Sequence, residues 1–209
     1  MPEPGMPTRS AAPRKRGEAA RVAIRTAAAG LLEQVGYRAL TLDDVAAAAR
    51  VSKATIYRHW PTKAALAISV LLDRAGAQLT FPDTGSVRGD LHQLLAGLVR
   101  TMADPRDGGL LAALIADAQL DPRTAETIRT DLLAGRRADA REALRRGSVR
   151  GELRPDLDVE TTIDSLVGPV YFRLLAGHAP LDTAFADALI ENVMRGIHSS
   201  TADGIGYDA

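Results

Sequence analysis

Apolar residues recur at intervals of three and four along most of this chain, the spacing of helices that each bury one face. In the first such segment, from Gly17 to about Gly36, the repeating positions are Ile24, Ala27, Leu31 and Val35. Gly36 stands where a C-terminal cap belongs, because glycine adopts the left-handed conformation at little cost. The pattern predicts a first helix that ends at Gly36.

Two short helices are predicted next, separated by a turn of only two residues. Thr41 can cap the first through its hydroxyl, with Asp43 and Asp44 in the opening turn at the positive end of the helix dipole. Ser52 is a second N-cap, and it opens a helix that reaches Trp60. Two short helices joined so tightly predict a helix-turn-helix.

The rest of the chain also has helical periodicity. Pro61 stops the short helix, and Thr62 caps a fourth that runs to about Ala77. Further helices are predicted at Asp90–Met102, Gly109–Gln119, Arg123–Arg146, Asp158–Ala176 and Leu181–His198. Because no alternating β pattern of useful length is present, the predicted fold class is all-α, with about nine helices.

Composition divides the chain further. The first 16 residues hold four prolines and end in Arg14-Lys15-Arg16, which favours a disordered basic arm. The expected organisation is an arm at 1–16, an N-terminal helix-turn-helix domain at 17–62, a larger C-terminal helical domain at 63–200, and a flexible tail at 201–209.

The net charge of zero hides an asymmetry along the chain. Residues 1–63 carry 11 Lys+Arg against 5 Asp+Glu, and the remainder carries 15 against 21. A basic head on an acidic body is typical of a protein that binds a polyanion through the head. Chance clustering of solvated charges is the alternative.

Several classes of function are disfavoured. No apolar window of 18 residues exists, which argues against a membrane partner, and the N-terminus lacks the apolar segment of a secretory signal, so we expect a cytoplasmic protein. The chain has no cysteine, which excludes disulfides and thiolate metal sites. The histidines at 92, 178 and 198 are scattered, and no nucleotide loop, hydrolase elbow or zinc-protease motif is present. We therefore predict no enzyme activity, no cofactor and no metal.

The segment Val51 to Lys63 holds the only tryptophan together with a tyrosine and several cations. At about 100° per residue, Ile56 and Trp60 share the inner side of the short helix. Ala54 and Arg58 point the opposite way, while Thr55, Tyr57 and His59 lie on the flanks. A major groove admits such a helix, and its outward side chains suit base edges. A merely solvated helix face is the alternative.

Groups around this helix suit phosphates. The hydroxyls of Thr41, Ser52 and Tyr57 can donate to phosphate oxygens, as can the backbone N–H groups at the two helix starts. Lys63 stands in the first turn of the following helix, where a cation opposes the dipole, so we expect an anionic partner nearby.

The run "TLDDVAAAARVSKATIYRHWPTKAAL" resembles the DNA-binding signature of TetR-family transcriptional regulators, and the resemblance extends over about residues 19–66. Arg50 departs from the glycine common in the family, at a cost of roughly 1 kcal/mol. The residue after Lys63 also lacks the acidic character often found there. The resemblance implies contact with double-stranded DNA by Thr41, Arg50, Ser52, Lys53, Ala54, Thr55, Tyr57, Arg58, His59 and Lys63.

A looser resemblance covers "ELRPDLDVETTIDSLVGPVYFRLLAGHAPLD" and implies that the last two helices pair with their twins in a homodimer. The expected interface residues are Ile163, Val167, Val170, Leu174, Phe185, Leu189 and Val193. The alternative is that both stripes are intramolecular core. A dimer would present two heads about 34 Å apart to a palindromic operator.

The resemblance also implies a cavity between the central helices for a small hydrophobic effector. Met102, Tyr171 and Phe172 are the candidate lining residues, although side chains of these types are more often packed in the protein core. The predicted function is a ligand-responsive transcriptional regulator, most simply a repressor that the effector releases from its operator. The alternative is an all-helical interaction module whose helix-turn-helix does not bind DNA.

Overall fold

A computed structural model describes residues 12–76 and 83–198, with side chains from Gly17 onward. The chain forms two compact units that divide after Val70, and each is described by itself. The expected tail at 201–209 and most of the expected arm lie outside the described residues. Residues 12–16 belong to the first helix, so the arm prediction is wrong there. Pro13 did not prevent the helix because a proline fits in the first turn, where its missing N–H is not needed.

Ten α-helical segments are present in the described residues: α1 Ala12–Ala39, α2 Leu42–Ala49, α3 Lys53–His59, α4 Lys63–Ala75, α5 Val87–Ala103, α6 Pro105–Ala118, α7 Pro122–Thr127, α8 Ala134–Val149, α9 Val159–Ala176 and α10 Thr183–Ile197. A π-helical turn, Ile128–Leu133, joins α7 to α8 without a break, so these three segments form one continuous helix. Counted in that way, the all-α prediction of about nine helices is confirmed. Between the described residues the only β pairing is an isolated bridge from Leu153 to His198.

Two helix predictions need correction. α6 begins at Pro105, before the predicted start at Gly109, because Asp104 caps it by accepting hydrogen bonds from the Arg106 and Asp107 amides at 2.8 and 3.3 Å. The helix predicted over 123–146 contains the π turn, which a periodicity of 3.6 does not reveal.

The first unit contains α1 to α3 and most of α4. Gly36 interrupts α1 with a φ of 73°, at the cap position predicted for it, and one further turn follows. Apolar side chains of all four helices form one core: Ile24, Ala28, Leu40, Leu42, Val45, Ala46, Ile56, Trp60, Ala65, Leu66 and Val70. Since Leu66 and Val70 belong to this core, residue 63 is the start of α4 rather than the division between the units.

In the second unit α5 is the central helix, and α6, α8, α9 and α10 pack against it. α8 approaches closely at Gly147, where a Cβ would lie 2.9 Å from the Cβ of Val87. No helix in the described part of the chain has both the length and the apolar character needed to cross a membrane.

Asp90 is a fully buried carboxylate near the start of α5. It accepts hydrogen bonds from the Thr84 backbone N–H and hydroxyl, both at 2.7 Å, and from Arg146 at 3.2 Å. Burial alone would raise the pKa of Asp90, but the Thr84 and Arg146 hydrogen bonds together outweigh it and leave that pKa below its ordinary value. The ionised carboxylate therefore joins α8 to the segment that precedes α5.

Candidate nucleic-acid interface and internal cavity

The two short helices begin at the predicted caps. The Thr41 hydroxyl accepts from the Asp44 amide at 3.1 Å and donates to the Asp44 carboxylate at 2.6 Å. The Ser52 hydroxyl accepts from the Thr55 amide at 3.3 Å. Both hydroxyls are thus engaged within their own first turns, on exposed residues.

The turn between α2 and α3 places Arg50 in the left-handed region, with φ 55° and ψ 43°. Its amide donates to Ala47 O at 3.2 Å, and the Val51 amide donates to Ala46 O at 3.1 Å. These two hydrogen bonds close the C-terminal end of α2, although the cap residue is an arginine rather than the usual glycine. The backbone therefore holds the Arg50 side chain at an exposed position of the turn.

An exposed ion pair also joins the two helices. The Lys53 ammonium donates to the Asp43 carboxylate at 2.6 Å, and this hydrogen bond raises the pKa of Lys53. Lys53 is therefore held at the start of α3 rather than extended freely into solvent.

α3 divides into a buried side and an exposed side, as the sequence predicted. Ile56 is fully buried and Trp60 is 7% exposed, both within the core of the first unit. The exposed side carries Ala54, Tyr57, Arg58 and His59, with Thr55 half-buried at its edge. Tyr57 is 51% exposed, a large fraction for an aromatic ring. The result is a polar and cationic surface on a helix whose opposite side is fixed by packing.

His59 is attached to this helix by an aromatic contact. Its ring meets the Trp60 ring edge to face, with centroids 5.8 Å apart. This geometry leaves the residue exposed while limiting its orientation.

The structure shows an intramolecular partner for Lys63. Its ammonium donates to Tyr37 O at 3.0 Å and Arg38 O at 3.3 Å, and it lies 4.4 Å from the centre of the Tyr37 ring. A cation at the carbonyl end of α1 interacts favourably with that helix dipole. The contacts that the structure gives Lys63 are therefore to neutral groups at the end of α1 rather than to an anion, and its contact with DNA stays a prediction.

A cavity of about 60 Å³, partly open to solvent, lies in the second unit between α5, α8 and α9. Its lining residues are Leu94, Leu98, Leu133, Arg136, Arg137, Ala140, Ile163, Leu166, Val167 and Tyr171. Of the three residues predicted to bind an effector, Tyr171 lies on this wall. Met102 is buried but not on the wall, and Phe172 is 64% exposed beside the His178 ring. Adjacent helical residues point about 100° apart, which is why Tyr171 and Phe172 face in different directions.

Sequence reasoning missed Arg136. Burial lowers the pKa of this guanidinium, and the electrostatic influence of Tyr171 and Asp139 only partly opposes that effect. Burial likewise raises the pKa of Tyr171, which Arg136 partly offsets. The available signal was the shared helix face of Leu133, Arg136 and Ala140, on which a cation interrupts an apolar stripe.

The predicted dimer residues separate into two groups. Ile163 and Val170 are at most 2% exposed and Leu189 is 9% exposed within the single chain, so these three are intramolecular core. Their assignment to an interface is corrected for this reason. The other four, which are half-buried, are Val167, Leu174, Phe185 and Val193. The exposed large apolar side chains of α9 are instead Phe172 and Leu175, at 64% and 51%.

Two family models match this chain. Residues 24–70 match the bacterial regulatory proteins of the tetR family, and residues 81–193 match the tetracyclin repressor-like C-terminal domain.

Individual proteins agree with these matches. The chain is 38% identical over 189 residues to the HTH-type transcriptional regulator YdeS of Bacillus subtilis strain 168, covering 90% of this chain and 95% of that protein. It is 34% identical over 181 residues to the DNA-binding transcriptional repressor TetR of Mycobacteroides abscessus, covering 86% and 94%.

A solved structure is similar as well. The crystal structure of the TetR family transcription regulator SCO0332 matches with a TM-score of 0.74 and 40% identity, covering 85% of this chain and 97% of that one. With a capped helix-turn-helix, a helical C-terminal unit and relatives of this identity and coverage, the chain belongs to the tetR family of bacterial transcriptional regulators.

Proposed function

We propose that this protein is a repressor that binds a palindromic operator as a homodimer, inserts α3 into the major groove and is released by a small effector. As a member of the tetR family it is a transcriptional regulator rather than an enzyme, and such regulators bind DNA and typically dimerise. The observation that carries the proposal is the exposed polar side of α3 over the buried Ile56 and Trp60.

The α3 surface has the chemistry that base and phosphate contacts need. Arg58 is exposed and can donate two hydrogen bonds to guanine, while Ala54 and the Thr55 methyl suit thymine methyls. Arg50 and Lys53 stand at the turn and at the N-terminus of α3, where phosphates bind readily. Because packing, the two caps and the Lys53–Asp43 pair already fix α3, little conformational entropy is lost when DNA binds.

The proposed dimer interface is the exposed side of α9 and α10. Phe172 and Leu175 lie there on α9, and α10 exposes the small side chains of Ala184 and Ala188. Half-buried Val167, Leu174, Phe185 and Val193 border this surface. Two heads related by a two-fold axis would contact half-sites about one helical turn, roughly 34 Å, apart.

The proposed effector site is the cavity between α5, α8 and α9. At about 60 Å³ it is much smaller than the roughly 300 Å³ that a typical ligand pocket needs, so an effector must separate the surrounding helices to enter. Binding that requires such a rearrangement favours one conformation over another. A difference of about 1–3 kcal/mol between the two conformations is a typical coupling for allosteric release.

DNA binding is tested with a palindrome taken from the DNA upstream of the gene, against a scrambled duplex of equal composition. The affinity for the palindrome should exceed that for the scrambled duplex, and it should fall at least about 100-fold between roughly 50 and 200 mM salt. Equal affinity for both duplexes, or a Kd insensitive to salt, would leave a helical interaction module that does not bind DNA as the better account.

Dimerisation is tested by light scattering on Phe172→Glu. This substitution puts a charge on a side chain that is already 64% exposed, so the protomer should fold while the dimer dissociates. Leu120→Glu is the matched control, since Leu120 is 84% exposed at the end of α6. A Phe172→Glu protein that remains dimeric at micromolar concentration would exclude this surface as the interface.

A further inference from the structure

The cavity between α5, α8 and α9 combines an apolar wall with cationic residues. Seven of its lining side chains are aliphatic: Leu94, Leu98, Leu133, Ala140, Ile163, Leu166 and Val167. The other three lining residues, Arg136, Arg137 and Tyr171, are the ones that carry polar groups. This composition fits a molecule with an apolar body and one polar end.

The two arginines differ in their environment, although they are adjacent on α8. Arg137 donates to Asp164 and to Glu160, each at 2.5 Å. These carboxylates belong to α9 and are exposed, so they neutralise Arg137 at the surface of the unit. Arg137 therefore joins α8 to α9 and is already balanced by two anions.

Arg136 is half-buried beside Tyr171, and Tyr171 and Asp139 are the neighbours that favour its charge. Burial is the largest influence on the pKa of Arg136, and it disfavours the charged form. An arginine nevertheless remains protonated in a protein, so Arg136 presents charged N–H donors at this apolar wall in addition to its existing contacts. An anion at this position would form charge-assisted hydrogen bonds with the guanidinium, and the Tyr171 hydroxyl can donate a further one.

The helices around the cavity have irregular backbones where they line it. The π-helical turn ends at Leu133, which contributes to the wall immediately before α8 begins. On α9, Pro169 lacks a backbone N–H and lies between the lining residues Val167 and Tyr171. Since π turns and internal prolines weaken the regular hydrogen-bond ladder, these are places where the wall can separate around a ligand.

From this geometry we propose that the effector is an amphipathic carboxylate, whose aliphatic body lies among the leucines while its carboxylate binds Arg136 and the Tyr171 hydroxyl. The inference rests on the proposed function, because it assigns the ligand class of that same effector site.

The test is isothermal titration of the full-length protein with three probes of equal chain length: octanoate, octan-1-ol and octylamine. Octanoate should bind at least about tenfold more tightly than octan-1-ol, and octylamine should bind more weakly still. Arg136→Gln should remove the preference for octanoate over octan-1-ol, whereas Arg137→Gln should retain it. Octan-1-ol binding as tightly as octanoate, a preference that survives in Arg136→Gln, or no binding of any probe would each overturn the proposal. The first and third outcomes need no variant, so the proposal can be overturned even if Arg136→Gln misfolds.

Operator binding distinguishes a failure of this inference from a failure of the proposed function. A protein that binds the palindrome but shows no selectivity for octanoate refutes the effector class and leaves DNA binding intact. A protein that selects octanoate through Arg136 but does not bind the palindrome refutes the proposed function and supports the carboxylate site. Selective binding without release of DNA supports the site and contradicts only its regulatory role.

Discussion

Asp90 offers a sharp test of how the second unit is held together. Its carboxylate is fully buried and accepts from Thr84 twice and from Arg146 once. Asp90→Asn keeps one oxygen for the two Thr84 bonds but removes the charge, and it turns an N–H group toward the Arg146 guanidinium. Asp90→Ala removes every acceptor at once.

The expected losses follow from these contacts. A hydrogen bond to a charged group contributes about 1.5–3 kcal/mol, so Asp90→Asn should lower the free energy of unfolding by about that amount. Asp90→Ala should cost about 3–5 kcal/mol, because it leaves the Arg146 charge without its buried carboxylate. Asp187→Asn is the matched control: it changes an exposed carboxylate on α10 that contacts His92, and it should leave stability nearly unchanged.

Asp90 lies in the second unit, whereas the single tryptophan lies in the first unit and its fluorescence reports on that unit. Urea denaturation followed by far-UV circular dichroism, which detects the helices of both units, is therefore the suitable assay. The pKa of Asp90 is lowered in the folded protein, so its stabilisation is present above the unfolded pKa near 3.8 and is lost as pH falls below it. The difference between the natural protein and Asp90→Asn should therefore be constant above about pH 5 and shrink below about pH 4. A difference that is under about 0.5 kcal/mol at neutral pH, or that grows on acidification, would refute this account of Asp90.

Three further predictions concern single backbone or capping positions. Gly108→Ala should destabilise the protein by about 1–3 kcal/mol, since its Cβ would lie 2.2 Å from Met102 O. Gly109→Ala has open space around its Cβ and should be neutral or slightly stabilising. Thermal melts of the two variants measure this difference. Lys63→Met should lower the free energy of unfolding of the first unit by about 1 kcal/mol, measured by tryptophan fluorescence in urea, because two α1 carbonyls lose their donor. Arg50→Gly should stabilise the first unit by roughly 1 kcal/mol, because glycine adopts the left-handed conformation at less cost. The same substitution should reduce the slope of log K against log salt for operator binding by about 1, the value for one phosphate contact. An unchanged slope would exclude Arg50 from the DNA interface.

The helix-turn-helix was predictable because its determinants are local. Thr41 and Ser52 cap the helices they precede, and Ile56 and Trp60 are buried on the side that helical geometry assigns to them. Capping and periodicity each depend on residues within a few positions, so one sequence suffices to recognise them.

The second unit was less predictable because its features depend on long-range contacts. Periodicity marked Ile163 and Val170 as apolar but could not say whether they face the same chain or a twin. Arg146, which binds Asp90, and Tyr171, which lies beside Arg136, come from distant segments, so the sequence around Asp90 and Arg136 does not show that these charges are paired or half-buried. The position of Lys63 over the end of α1 similarly joins residues 26 apart in the sequence.

The central claim is that the exposed side of α3 contacts DNA, and protection of a single thiol tests it most directly. The chain contains no cysteine, so Ala54→Cys places one thiol on the exposed side of α3, and Ala138→Cys places a control thiol on the exposed side of α8. Alkylation rates are measured with and without saturating operator DNA. The account predicts that the operator slows alkylation of A54C at least about tenfold and leaves A138C unchanged, because a helix within the major groove is closed to reagents. An A54C thiol that reacts equally fast with the operator bound would contradict it.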